Sequence, residues 1–184
     1  MKQFLATSIS QIFNPILIWP LFIVIIIYQV PGLWLTLILC EVIIPIILLG
    51  VFIKLGFVSD IDITKRSERK LYFLTVLMAH LISVMVLWYF GNRLMGELRL
   101  LGWVIELVGI IVTFYWKISV HLAANSFVLG IVLILFGLKW WPILLILPGV
   151  AWSRIFLKKH TFAQTLAGGA LPLVVLFIYA YLSH

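Results

Sequence analysis

An all-α, polytopic membrane bundle of six to seven transmembrane helices is what this sequence predicts, on three observations. Hydrophobic residues fill 65% of the 184 positions and charged residues only 10%, against roughly 25% charged in an ordinary soluble domain. The mean hydropathy is +1.25. The apolar residues gather in runs near the roughly 20 residues that a helix needs to cross a bilayer. No ten-residue alternating pattern suggests a barrel strand, and no polar stretch reaches domain length, so residues 1–184 are expected to form a single transmembrane domain.

Seven segments meet or approach spanning length, at approximately 12–30, 33–56, 71–90, 98–116, 118–137, 140–157 and 162–182. Pro15 and Pro20 belong to the first, Pro45 to the second, Pro142 and Pro148 to the sixth and Pro172 to the seventh. Prolines are tolerated in spans where neighbours satisfy the carbonyls they leave without a donor. The tryptophans fall near span ends or within a turn or two of them, as interfacial anchoring predicts. Cys40 is expected to be a packed thiol. Glu41 and Glu106 lie within spans and should be neutral, paired or turned to the bundle interior; a proton or ion path using them is a further reading. His80 and His184 match no motif and read as structural or incidental, while Asn125/Ser126 and Gly168/Gly169 read as helix-packing positions. The basic start leads into polar Thr7–Gln11 with no small-residue cleavage site after the first apolar run, so no cleavable signal peptide is expected.

Two connections are substantial, 57–70 and 91–97. In the first, Asp60, Asp62 and Glu68 are expected to pair with neighbouring cations. Even numbers of spans separate this loop from Lys117–His121, and that segment from Lys158–His160, so all three are expected at one membrane face. The same face would carry ten Lys or Arg residues, against Arg93, Arg99 and Lys139 opposite. The positive-inside rule makes the richer face cytoplasmic, though setting aside Arg66, Arg69, Lys117 and Arg154 as phosphate ligands reduces the count to six against three. The net charge of +7 is better explained by orientation and anionic lipid headgroups than by nucleic acid, because the cations are thinly spread.

The three clusters on that face are Lys65/Arg66/Arg69, then Lys117-Ile118-Ser119-Val120-His121, then Ser153/Arg154/His160. They combine guanidinium, ammonium and hydroxyl donors suited to phosphate oxygens with two histidines able to divide the roles of nucleophile and general acid. Charge at membrane depth costs about 2.5–3.5 kcal/mol per residue on insertion scales, which makes such a cluster a functional candidate. For Ser153–Gln164 the competing reading is a basic loop that fixes topology, and Lys158 and Lys159 fit it. No Asp or Glu follows Glu106, so no carboxylate cage for a divalent cation is available there, and no metal or other cofactor is expected.

Ser153-Arg154, five residues, His160, three residues, Gln164 resembles the third signature of the type 2 phosphatidic acid phosphatase superfamily, Ser-Arg-x5-His-x3-Asp. Ser119-Val120-His121 is similar to its second, Pro-Ser-Gly-His, and the loop 59–70 sits where the first, Lys-x6-Arg-Pro, belongs. Nearly end to end, the chain resembles small bacterial membrane proteins identified as members of that superfamily. The resemblance rests on the Asn14-Pro15 neighbourhood, Lys65–Arg69, Trp116–His121 and His160–Gln164.

The resemblance implies a multi-pass protein of the cell (inner) membrane that acts in phospholipid metabolism on a lipid phosphate or isoprenyl diphosphate. His160 would form a phosphohistidine and His121 would protonate the leaving oxygen. Arg154, Ser119 and Arg69 would hold phosphate, with Lys65 or Arg66 replacing the family lysine. The sequence departs from the family at Asp62, Lys70, Val120 and Gln164. Gln164 stands where the family has the aspartate that orients the nucleophile; its amide oxygen can accept a hydrogen bond from the ring but supplies no charge. A catalytically weak or inactive lipid-phosphate-binding or transport protein is therefore the alternative.

Overall fold

The computed structural model describes residues 1–183 apart from 62 and 64, and the side chain of Arg66 is also outside that set. The readings of Asp62 and His184 thus lie outside the described residues, as does the phosphate-binding role expected of the Arg66 side chain. Among the described residues the chain is helical, with no strand.

Helix α1 (Lys2–Ile12) stops before Asn14-Pro15. Pro15 opens α2 (Pro15–Gln29), where a missing N–H costs nothing, and the Asn14 side chain accepts from Ile16 N–H at 2.9 Å. The next stretch runs from a 3-10 turn (Pro31–Leu33) through α3 (Trp34–Ile38) and a π turn (Leu39–Ile43) into α4 (Ile44–Lys54). The π turn has a local cause. Pro45 has no N–H to give the Glu41 carbonyl four residues earlier, and Ile44 N–H reaches back five residues to Leu39.

Helices α5 (Arg66–Phe90) and α6 (Arg93–Tyr115) follow, the second capped by Asn92, which accepts from Met95 N–H at 2.9 Å. Helix α7 (Val120–Phe136) ends at Gly137, whose φ of +93° suits glycine. A 3-10 stretch (Leu138–Leu145), α8 (Ile146–Phe156) and α9 (Phe162–Leu182) complete the chain.

Among the described residues, five helical stretches are long and apolar enough to cross a membrane: Lys2–Gln29, Pro31–Lys54, Ser67–Phe90, Arg93–Tyr115 and Phe162–Leu182. These are the helices of a multi-pass membrane protein. Large apolar side chains on their outer faces, such as Leu17, Ile47, Met78 and Phe177, are more than half exposed, as lipid-facing residues are. The segment expected as one helix over 140–157 is instead divided. Pro142 disfavours helical geometry at Trp141 and has no N–H to donate, so the α-helix begins only at Ile146. With 11 residues, α8 rises about 17 Å, roughly half the hydrocarbon thickness. Helix α7, at 17 residues, lies at the short limit for a span.

The chain forms two compact units. One is contiguous, Trp19–Lys117; the other joins Met1–Ile18 to Ile118–His184. In the contiguous unit, Arg99, counted in the sequence among the cations of one membrane face, is fully buried and ion-paired to Glu41. Glu41 is buried and paired, one of the states expected of it.

Candidate functional site

The candidate site in the discontinuous unit is built from the end of α8. Lys158 N–H donates to Ile155 C=O at 2.9 Å and Lys159 N–H to Arg154 C=O at 3.0 Å, with Lys158 at φ +54°. This is a Schellman termination. It explains what five intervening residues achieve: the chain turns back so that His160 N–H also meets Arg154 C=O, at 3.3 Å. Arginine and histidine are thus tied by backbone, and both side chains are buried.

A lysine in the left-handed region carries a strain of about 1–2 kcal/mol that glycine avoids. Lys158→Gly is therefore expected to stabilise the protein by up to about 1 kcal/mol, after the unfolded-state entropy that glycine adds. A higher thermal midpoint in mild detergent checks this.

Helix α9 begins immediately after His160 with a capping box. Thr161 Oγ1 accepts from Gln164 N–H at 3.3 Å, and Gln164 Oε1 accepts from Thr161 N–H at 3.1 Å. The amide oxygen expected to steady the His160 ring is therefore engaged with backbone. Gln164 C=O accepts from Ser119 N–H at 3.1 Å, which joins the start of α9 to the start of α7. Gly168 permits this approach, since a Cβ there would stand 2.5 Å from the Ser119 carbonyl oxygen.

Ser119 is buried and caps α7, accepting weakly from Leu122 N–H at 3.5 Å. A capping hydroxyl can still donate. His121 lies in the first turn of α7, buried, and its carbonyl accepts from Asn125 Nδ2 at 2.8 Å. The same Asn125 nitrogen reaches Phe13 C=O at 2.9 Å. The Ser153 hydroxyl is buried and donates to Val150 C=O at 2.8 Å, a bond within its own helix.

Sequence reasoning missed Ser10 of α1, whose hydroxyl receives a hydrogen bond from Arg154 Nη1. No signal near Ser10 announces this, because its partner is 144 residues away. Asn125 was read as packing; its spacing of four from His121 was the available clue. The unit therefore gathers two buried histidines, a buried arginine and two capped helix starts. Helix N-termini attract anions through exposed N–H groups and the helix dipole.

No family model, curated protein or solved structure matches this chain.

The remaining expected phosphate ligands belong to the contiguous unit. Arg69 is buried, its Nε donating to Ile63 C=O at 2.8 Å and its guanidinium lying 6.0 Å from the Phe73 ring centre. Lys65 pairs with Glu68 at 3.0 Å, and Glu68 also receives Ser59 N–H and Oγ at 2.8 Å each. Lys117 is half-buried. Among the described residues, no group of three or more His, Cys, Asp or Glu side chains is arranged to hold a metal ion.

Proposed function

We propose that this protein is a lipid phosphatase-like enzyme of the cell (inner) membrane, with six or seven spans, that hydrolyses a lipid phosphate or isoprenyl diphosphate without a metal ion. A ring nitrogen of His160 attacks phosphorus while the P–O bond to the leaving group breaks. His121, as imidazolium, gives its proton to the departing oxygen. Water then attacks the phosphohistidine, the P–N bond breaks, His121 takes the water's proton, and inorganic phosphate leaves. Arg154 neutralises charge on the phosphoryl oxygens, with the N–H groups at the starts of α7 and α9 contributing.

The observation that supports this reading is the run of backbone hydrogen bonds Arg154–His160 and Gln164–Ser119. It draws the residues resembling the second and third family signatures into one unit. The reading rests on that unit alone.

Purified protein assayed in chelator against phosphatidate, phosphatidylglycerophosphate and isoprenyl diphosphates is expected to release inorganic phosphate. Gln164→Asp is expected to raise turnover by about tenfold or more, because a carboxylate can stabilise positive charge on the histidine ring, whereas the Gln164 amide oxygen is held by Thr161 N–H. The second reading, a lipid-phosphate-binding or transport protein without turnover, is favoured by the engagement of Gln164 in the capping box. Tight lipid-phosphate binding with no phosphate release, in wild type and Gln164→Asp alike, would establish it in place of hydrolysis.

A further inference from the structure

The contiguous unit holds a second polar cluster, made of residues that no local motif connects. Glu41 on the π turn is fully buried and accepts from Arg99 Nε at 2.6 Å, Trp19 Nε1 at 2.9 Å and the Ser83 hydroxyl. Arg99 is itself fully buried and lies 5.4 Å from the Trp19 ring centre. His80 stands between two carboxylates, with Nδ1 2.7 Å from Glu106 and Nε2 3.5 Å from Glu41. Its ring stacks on Trp19 at 5.8 Å.

Three observations point away from a static brace. First, buried charge is costly at mid-span, and a hydrocarbon core would serve packing better. Second, the pairing is loose: Arg99 Nη1 and Nη2 and His80 Nε2 are buried and make no hydrogen bond among the described residues, Nη2 standing 3.6 Å from Glu106 Oε1 and Nε2 3.5 Å from Glu41 Oε2. Third, Glu41 sits in a π turn, a rare distortion found frequently at functional sites.

Charge arithmetic identifies the ligand. Two carboxylates and one guanidinium leave a net charge of −1, and one proton on His80 brings the group to zero. In a low-dielectric interior that difference is what the protein must manage. The cationic Arg99 in the middle makes the cluster unsuitable for a metal ion. Glu106 is the member that reaches the surface of the unit, with 24% of its side chain exposed, against 0% for Glu41 and Arg99.

We propose that His80 and Glu106, held in place by Glu41 and Arg99, form an intramembrane proton-exchange site that binds and releases one proton through the Glu106 carboxyl. On uptake, a proton from water passes to a Glu106 oxygen and on to His80 Nδ1, the O–H bond breaking as the N–H bond forms; release reverses the step. The ionisable groups facing His80 are Glu41, with the Cys40 thiol beside it, and Arg99 and Glu106 from α6. Helix α4 contributes only Lys54, at its far end.

The test is 15N NMR of histidine side chains in the full chain, in lipid nanodiscs, between about pH 5 and 8, where histidine changes charge. The His80 ring signals are expected to pass between the protonated and neutral patterns in wild type. In Glu106→Gln, with helical content unchanged, that passage is expected to vanish from the same range. His80→Gln assigns the signals; should it fail to fold, His121→Gln, His160→Gln and His184→Gln assign them by elimination, the chain having four histidines. A constant His80 pattern in wild type would overturn the proposal, as would a transition that Glu106→Gln leaves unchanged.

Discussion

Replacing His160 with alanine is expected to reduce phosphate release by about 10^4-fold or more, the scale on which removing a covalent nucleophile acts in enzymes that form a covalent intermediate. The structure makes this a clean experiment. His160 is fixed through its backbone N–H on Arg154 C=O, and alanine keeps that bond. The Schellman turn and the Thr161 capping box likewise depend on neighbouring residues and on backbone. Helical content and the affinity for a lipid phosphate should therefore change little, while turnover disappears. Chelated assays with phosphatidate, run beside a binding measurement in the same detergent, separate the two effects. Turnover surviving at the wild-type rate would remove His160 as the nucleophile.

The second large effect is on stability. Glu41→Leu is expected to destabilise the protein by about 3–5 kcal/mol, the cost of leaving a buried guanidinium with the more distant Glu106, 3.6 Å away, in place of Glu41. The charge left behind is Arg99, fully enclosed and 2.6 Å from the carboxylate that would be lost. The double replacement Glu41→Leu/Arg99→Met removes both charges and should recover most of that loss, because a well-packed apolar pair often matches a buried ion pair in stability. Chemical denaturation in mixed micelles, comparing the two variants with wild type, reads the difference directly. A double variant as unstable as the single one would show that the other donors to Glu41, Trp19 and Ser83, carry the interaction.

Much of the helical framework could be read from apolar runs, since a span requires length and composition and little else. The division near residue 140 depended on something finer. Gly137, Pro142 and Pro148 act through individual torsions and absent N–H groups, which the apolar character of a whole run conceals. The Thr161-x-x-Gln164 capping box is a short-range pattern and was present in the sequence, although there Gln164 was weighed only as a partner for the histidine ring. The Schellman turn was harder to see, because Lys158 occupies the position where glycine is the usual signal. Of the ionic cluster, the need of Glu41 and Glu106 for pairing or an interior position was legible, but their partners were not. Arg99 and Glu106 stand seven apart on one face of α6, but nothing in the spacing of residues 41 and 80 joins them to that pair; the pairing of α5 with α6 and with the π turn does so. Arg99 illustrates the point: in the sequence it is one cation in a count of membrane faces, and its carboxylate partner lies 58 positions earlier.

The Ser10–Arg154 hydrogen bond also bears on how the protein is made. Its two ends are separated by 144 residues, and a ribosome adds about 5–20 residues per second. Helix α1 therefore waits on the order of ten seconds before its arginine exists. The contiguous unit can be completed in that interval, because all of its chain has already been synthesised. The site around Arg154 and His160 is assembled last, when the newest helices close on the oldest one.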